Sequence, residues 1–193
     1  SPDVSREDVA AAVGADVQAL ADAGDRGAAV ETMARGAAEI VKRLHAEGNL
    51  DAIGGLGGSG GSSIATYAMR QLPIGVPKLM VSTVASGDTS PYVGSVDVTM
   101  MYSVVDIAGV NSISAKIMTN AAAALAGMAK ATVPPLGEEK PLITASMFGV
   151  TTAAVTTARE RLEELGYEVL VFHQTGAGGG PMDALIEAGF LTG

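Results

Sequence analysis

The spacing of apolar residues along the chain predicts helices that alternate with short buried strands. Between Asp25, a predicted N-cap, and Gly48, apolar residues recur every three or four positions, which is typical of one face of a helix. Shorter apolar runs with few polar interruptions predict strands. The predicted strands cover residues 51–57, 78–84, 96–102, 142–148 and 168–173. Further helices are predicted over residues 6–13, 64–72, 110–129 and 153–165, and from Pro181 onward.

This alternation predicts an α/β fold, because parallel strands need crossover helices that cover the faces of their sheet. We expect a Rossmann-like lobe with helices on both faces over residues 1–131, a linker rich in Pro and Gly over 132–140, and a second Rossmann-like lobe over 141–193. The second lobe has two predicted strands, too few for an independent sheet. We therefore expect it to join the first lobe, to pair with another chain or to be truncated, and we favour truncation. The chain begins Ser-Pro-Asp without Met, which indicates a processed product or a piece of a longer protein.

The composition of the chain excludes several classes of function. The 193 residues include 12 Lys and Arg against 21 Asp and Glu, a formal net charge of −9, and basic residues do not cluster beyond Lys42-Arg43. We therefore expect no nucleic-acid partner and no membrane partner. The absence of cysteine and the presence of only two histidines exclude a disulfide scaffold, a thiol nucleophile and a Cys/His zinc site. No segment indicates secretion, and we expect a cytoplasmic protein.

A glycine-rich stretch between the first predicted strand and the next helix is the strongest candidate for chemistry. Six of the eight residues from Gly54 to Gly61 are glycine. Backbone amides without Cβ atoms around them can converge on an anion, and the start of the following helix adds partial positive charge. The alternative is a tight turn that uses glycine for positive φ, but one turn needs fewer glycines. The stretch predicts a phosphate-binding loop with contacts from Gly55, Gly57, Gly58, Ser59, Gly60, Gly61 and Ser62.

Two standard phosphate-binding motifs do not fit this stretch completely. The pattern Gly55-x-Gly57-x-x-Gly60 matches the dinucleotide fingerprint, but Ser82 and Thr83 stand where that fingerprint needs an acidic residue for the ribose. NAD binding of the usual kind is therefore disfavoured. A P-loop needs a lysine directly after its last glycine, and no lysine lies between residues 42 and 78. A standard P-loop is excluded.

The same stretch leaves a hydrolase open as an alternative. The pattern Gly57-x-Ser59-x-Gly61 matches a nucleophile elbow, in which Ser59 is the nucleophile. Asp88 or Asp106, followed by His173, would complete a triad in the usual chain order.

Two further groups of polar residues follow predicted strands, where ligands bind in open α/β sheets. After the second strand, hydroxyl groups and glycine are candidates for phosphate or ribose, and Asp88 for a Mg²⁺ that bridges phosphates; the alternative is that Asp88 and Thr89 cap a turn. The candidates are Thr83, Ser86, Gly87 and Asp88. After the fourth and fifth strands, a second half-site is predicted, although Thr151 or Thr152 also fits a plain N-cap. Its candidates are Thr151, Thr175, Gly178 and Gly179.

Several of these segments, taken in order, closely resemble the family of ATP-binding domains typified by the tobamovirus-resistance protein of plants, which has many uncharacterised bacterial members. The similar segments are residues 25–27, 54–63, 80–88, 100–111, 146–152 and 172–179. The resemblance implies two Rossmann-like subdomains, nucleotide binding and self-association, with another βα unit ahead of Ser1 and a longer second lobe in family members. The plant members have a further carboxyl-terminal domain.

Two classes of function follow from the residues and the resemblance together. The first is a module that binds ATP, with or without Mg²⁺, and forms a homodimer. The alanine-rich helix predicted over 110–129 then packs either on its symmetry mate or on its own sheet. The second is an enzyme, either ATP-dependent or a serine hydrolase. The lack of a P-loop lysine and of a convincing general base predicts little or no ATP hydrolysis by the first lobe alone.

Overall fold

The computed structural model describes residues 2–134, 140–173 and 179–187, together with Gly189 and Leu191. The chain divides into two compact units, Ser1–Ala131 and Thr132–Gly193. The described part of the first unit contains α1 (Arg6–Ala11), α2 (Val17–Ala23), α3 (Arg26–Ala46), β1 (Ile53–Gly57), α4 (Ser59–Met69), β2 (Lys78–Ser82), α5 (Ser90–Val93), β3 (Thr99–Tyr102) and α6 (Ser112–Lys130). The second contains β4 (Leu142–Met147), a 3₁₀ turn (Gly149–Thr151), α7 (Thr152–Glu164), β5 (Glu168–His173) and α8 (Gly179–Glu187).

Both sheets are parallel, which confirms the prediction of an α/β fold with parallel strands. The first has the order β1-β2-β3, and the second pairs β4 with β5. In the first sheet the strands end level with one another, since Gly57 pairs with Ser82 and Ser82 with Tyr102. The residues that follow the strands continue this pairing: the amide of Thr83 donates to the Gly57 carbonyl at 3.2 Å, and that of Ser103 to the Ser82 carbonyl at 3.1 Å.

Helices cover both faces of the first sheet. On one face, Met69 of α4 packs against Met80 of β2 and Val98 in a buried cluster. On the other, Leu79 and Val81 of β2 pack against Ala121 of α6, with further apolar side chains of α6 around them. Because consecutive residues of β2 point to opposite faces, this strand is buried from Lys78 to Ser82. The helix α6 thus packs on its own sheet, one of the two alternatives that the sequence left open.

The helix α4 begins at Ser59, five residues earlier than predicted, and the prediction of a long glycine-rich loop is wrong at this point. Gly58 is the N-cap, so Ser59, Gly60 and Gly61 form the first helical turn. Glycine disfavours a helix by about 1 kcal/mol relative to alanine, so local propensity pointed to a loop. Packing decides otherwise, because the absence of a Cβ atom on Gly57 lets this turn lie directly over the end of β1. The structure also contains the short helix α5, which was not predicted.

An ion pair between a buried lysine and a partly exposed aspartate closes the opposite end of the sheet. The Lys78 side chain is 0% exposed, and its ammonium group donates to the carbonyls of Pro73 and Val76 and to Oδ1 of Asp97, each at 2.8 Å. The amide of Gly75 donates to Oδ2 of Asp97 at 2.9 Å. Partial burial raises the pKa of Asp97, but the hydrogen bonds from Lys78 and Gly75 outweigh it and hold that pKa below its usual value. These contacts fasten the turn before β2 to the segment before β3.

Among the helices with described residues, none has both the length and the apolar character that a bilayer span requires.

Candidate functional site

The candidate site lies at the carboxyl edge of the first sheet, where α4 begins next to the loop that follows β2. Three backbone amides at this helix start, those of Ser59, Gly60 and Gly61, donate to no acceptor within the described residues. The amide of Ser62 is the first that is used, since it donates to the Gly58 carbonyl at 2.8 Å. Open amides at a helix start carry partial positive charge and point toward any anion placed there.

The way α4 begins differs from the two longest helices of the unit. In α3 the side chain of Asp25 accepts from the amide of Ala28, and in α6 the side chain of Asn111 accepts from two amides. The N-cap of α4 is Gly58, which has no side chain to accept a hydrogen bond. A helix start without a side-chain cap leaves its donors to water or to a ligand.

The glycines of this stretch fall into two groups when each is tested for the space around a Cβ atom. A Cβ on Gly57 would lie 2.9 Å from Gly61 Cα, and one on Gly55 would lie 2.7 Å from the Met80 sulfur. Packing of α4 on β1 therefore requires these two glycines. At Gly58, Gly60 and Gly61 the nearest atom would be 3.5 to 3.6 Å away, an ordinary contact distance. None of the five has positive φ, so neither turn geometry nor packing explains the last three.

Ser62, a predicted phosphate contact, points into the protein instead. Its side chain is buried, and its hydroxyl lies 2.6 Å from the hydroxyl of Ser82, which is also buried. The Ser82 hydroxyl accepts from the amide of Val84 at 3.2 Å. This pair connects the first turn of α4 to the end of β2. We therefore assign Ser62 to holding the helix start in place rather than to contacting a ligand.

Two other side chains flank the open amides. A Cβ on Gly58 would lie 3.5 Å from the hydroxyl oxygen of Thr83, a predicted site residue. A Cβ on Gly60 would lie 3.6 Å from Nη2 of Arg26, the first residue of α3. Arg26 forms no ion pair and no side-chain hydrogen bond within the part of the chain that the structure describes. A guanidinium group beside a helix start adds a full positive charge to the partial charge of the amides.

Arg26 was not among the residues predicted for the site. It lies 28 positions before Gly54, the first residue of the glycine-rich stretch, and only the packing of α3 on α4 brings it there. A signal did exist, because residues 25–27 are one of the segments that carry the family resemblance. No spacing rule connects such a segment to a phosphate site, so the sequence alone gave Arg26 no role.

The loop after β2 is held by its own hydrogen bonds. Oδ1 of Asp88 accepts from the hydroxyl of Ser90 at 2.6 Å and from its amide at 3.0 Å. These two bonds lower the pKa of Asp88, the hydroxyl bond contributing most. The amide of Gly87 donates to the Val84 carbonyl at 3.1 Å. Asp88 thus starts the turn into α5, as the structural alternative predicted, and its second oxygen makes no hydrogen bond among the described residues.

The loop after β3 contains an unusual backbone conformation that the sequence did not indicate. Val104 has a φ of 63°, and the amide of Val105 donates to the Ser103 carbonyl at 2.7 Å across it. The Ser103 hydroxyl closes the same turn by donating to the Val105 carbonyl at 2.7 Å. A β-branched residue with positive φ is strained, and such strain is concentrated at functional sites. This turn follows Ser103, whose amide is bonded to the end of β2.

The predicted half-site of the second unit is described only in part. The hydroxyl of Thr151 donates to the Phe148 carbonyl at 2.8 Å and accepts from the Phe148 amide at 3.1 Å, so it stabilises the turn before α7. Thr151 is the N-cap residue of α7, the alternative that the sequence offered, but its side chain accepts no hydrogen bond from the amides of that helix. Gly179 is the first residue of α8. Thr175 and Gly178 lie outside the described residues.

The described part of the first unit shows no catalytic base next to Ser59, the nucleophile of the hydrolase alternative. This residue is exposed, and among the described residues of the first unit its hydroxyl makes no hydrogen bond to a histidine or a carboxylate. A nucleophilic serine needs a base within hydrogen-bond reach, about 3 Å. Within the same residues, no three His, Asp or Glu side chains form a group that would hold a metal ion.

Comparison with known proteins places the chain in a family. Residues 1–134 match the N-terminal domain of the uncharacterised protein family UPF0261, and residues 140–193 match its C-terminal domain. A UPF0261 protein of Clostridium tetani is 57% identical over 192 residues, which cover 100% of this chain and 48% of that protein. A UPF0261 protein of Mesorhizobium japonicum is 46% identical, over 99% of this chain and 47% of its own length.

The resemblance to the plant protein is confirmed by the same comparison. The ToMV resistance protein Tm-1(GCR237) of Solanum lycopersicum is 44% identical over 173 residues, which cover 87% of this chain and 23% of that protein. The ToMV susceptible protein tm-1(GCR26) matches with the same identity and coverage, so the similarity of this chain does not distinguish the resistance protein from the susceptible one. The chain spans about half the length of the bacterial relatives. With both of its units matched by the two domains of one family, the chain belongs to UPF0261.

Proposed function

We propose that the first unit binds a nucleotide, ATP, with its phosphates at the start of α4. The observation that carries this proposal is the uncapped helix start at the carboxyl edge of a parallel sheet, where three amides have no acceptor in the described part of the chain. Ligands of open α/β sheets bind at this edge, and phosphates bind at helix starts. In this proposal the first unit is a Rossmann-like lobe. Its phosphate-binding element consists of β1, the open helix start and α4.

Arg26 and Thr83 support a phosphate rather than a neutral ligand. The chain as a whole has a formal net charge of −9. The guanidinium of Arg26, which has no ion-pair partner among the described residues, and the three open amides beside it therefore form a local positive region in a negatively charged protein. A P-loop has a lysine that supplies a positive charge to the phosphates, and this chain lacks that lysine. The guanidinium of Arg26 supplies the positive charge instead. The Thr83 hydroxyl supplies a further donor from the neighbouring strand end. The second oxygen of Asp88 is the group that would hold a Mg²⁺ bridging the phosphates.

Calorimetric titration with ATP, with and without Mg²⁺, tests the proposal on the whole chain. We expect Arg26→Gln to weaken ATP binding by at least about tenfold, since a charge-assisted contact contributes about 1.5 to 3 kcal/mol. Gly58→Val should also weaken binding, because its side chain would occupy the open end of the helix. Arg35→Gln is the matched control: Arg35 is exposed, lies on α3 and makes no ion pair in the described part of the chain.

The proposal fails if ATP binds equally well to the folded Arg26→Gln and Gly58→Val proteins. It also fails if Arg35→Gln weakens binding as much as Arg26→Gln, because general attraction by positive charge would then explain the affinity.

A further inference from the structure

A groove runs along the side of α4 from the helix start toward its end. It has a volume of about 320 Å³ and is formed by α3, α4 and the short helix α5. Ligand pockets in proteins begin at about 300 Å³, so the groove is of a size for a small ligand or one end of a larger one. Its wall near the helix start includes Gly27, Val30 and Ser63, and its far end is lined by Tyr67, Arg70 and Tyr92.

The near end of the groove lies close to the proposed phosphate site, although none of the residues assigned to that site lines the groove. A Cβ on Gly60 would lie 3.6 Å from Nη2 of Arg26 and 4.0 Å from Cγ2 of Val30, and Val30 lines the groove. Tyr67 lies eight residues after Ser59 on α4, so about 12 Å of helix separates the open amides from the aromatic end. A ligand with phosphates at the helix start would place its other end beside these rings.

The side chains at the far end suit a flat ring with hydrogen-bond donors. Two tyrosines, Tyr67 and Tyr92, line this end of the groove. The guanidinium of Arg70 donates to the Pro91 carbonyl at 2.9 Å and lies 6.0 Å from the centre of the Tyr67 ring, so it fixes this wall in place. Glu31 also lines the groove, and its carboxylate forms no ion pair or hydrogen bond among the described residues. It is free to accept from a ligand.

The dinucleotide fingerprint of this chain lacks the acidic residue that normally binds the ribose, since Ser82 and Thr83 stand at that position. Ser82 is buried and bonded to Ser62, which removes it from ligand contact. Ribose hydroxyls or the amines of a base therefore need an acceptor elsewhere. Glu31 offers an acceptor in a cavity that opens beside the phosphate site.

We propose that this groove binds the nucleoside end of the nucleotide whose phosphates lie at the start of α4. The base lies against Tyr67 and Tyr92, and hydrogen-bond donors of the nucleoside donate to the carboxylate of Glu31. The inference rests on the proposed function, because the phosphates fix one end of the ligand. It adds a base-binding site on the helix side of the unit, away from the loop after β2.

The test compares ATP with inorganic tripolyphosphate, which has the phosphates and no nucleoside. We expect the wild-type chain to bind ATP more tightly than tripolyphosphate. Tyr92→Ala should weaken ATP binding by about tenfold and leave tripolyphosphate binding unchanged, because stacking on one aromatic side chain is typically of that size. Glu31→Gln should also weaken ATP binding alone, and this exposed position does not endanger folding. Glu39→Gln, on the same helix and paired with Lys42, is the control.

The outcomes separate this inference from the proposed function. If tripolyphosphate and ATP bind with the same affinity, or if folded Tyr92→Ala and Glu31→Gln bind ATP as the wild type does, the groove inference is wrong while the phosphate site stands. If the wild type binds neither ligand, the proposed function is wrong and the groove inference falls with it. If Glu39→Gln weakens ATP binding as much as Glu31→Gln, the loss is not specific to the groove and the inference is overturned.

Discussion

The same substitution at two glycines three residues apart should have opposite effects on stability. In Gly57→Ala the new Cβ would lie 2.9 Å from Gly61 Cα, 3.0 Å from the Gly61 carbonyl carbon and 3.2 Å from the Ser62 nitrogen. Ordinary contacts begin at 3.4 Å. All three atoms belong to the backbone of α4, so no side chain can turn away and the helix itself must move by about half an ångström. Overpacking of this kind costs about 1 to 3 kcal/mol.

Gly60→Ala adds the same methyl group where the nearest atom is Nη2 of Arg26 at 3.6 Å. Because alanine is the better helix former by up to about 1 kcal/mol, we expect the free energy of unfolding to stay the same or rise. Urea denaturation followed by hydrogen exchange in peptides from β1 and β2 measures the first unit without a contribution from the second. Equal losses of stability in both variants would refute the reasoning, since α4 would then not begin at Ser59 against the end of β1.

Three further predictions concern the packing and assembly of the chain. Ser82→Ala should lower the free energy of unfolding by about 1 to 3 kcal/mol in urea denaturation. Adding Ser62→Ala should cost little more, because removing both hydroxyls leaves neither unpaired. A double variant that loses the full sum of the two separate losses would contradict this prediction. Asp97→Asn should be less stable than the wild type at neutral pH, because it leaves the buried ammonium of Lys78 without its counter-charge. The folded-state pKa of Asp97 is lowered, so its stabilisation is complete above the unfolded pKa of about 3.9 and is lost as pH falls below it; urea midpoints that differ equally at all pH values would speak against the pair. We also propose that the chain forms a dimer, and sedimentation at micromolar concentration that shows one species of about 19 kDa, independent of concentration, would exclude it.

Much of the architecture followed from local patterns. The periodic apolar face of the segment after Asp25 predicted α3, and a short apolar run predicted a buried strand at β2, because helices and strands expose their faces at fixed periods. The order of strands and helices then implied parallel sheets, since neighbouring parallel strands need a crossover. The candidate site was predicted at the carboxyl edge of the sheet for the same reason: the strand ends of a parallel sheet meet there.

Other features depended on contacts between residues far apart in the chain. The sequence grouped the glycines of residues 54–61 as one loop, whereas the structure separates those that packing on Met80 and α4 requires from those with open space beside them. Ser62 was indistinguishable from its neighbours until β2 placed Ser82 beside it. ATP binding, self-association and the cytoplasmic location stay predictions.

What the sequence by itself determined is therefore most of the strands and helices and their parallel arrangement, because these follow from periodicity. That an anion binds at the glycine-rich stretch stays a prediction, made from the chemistry of glycine-rich helix starts. Only the tertiary structure decided where α4 begins, which side chains flank its open amides, and that Arg26 and the groove beyond it lie there. These depend on how α3 packs against α4, and packing between distant segments leaves no fixed spacing in the sequence.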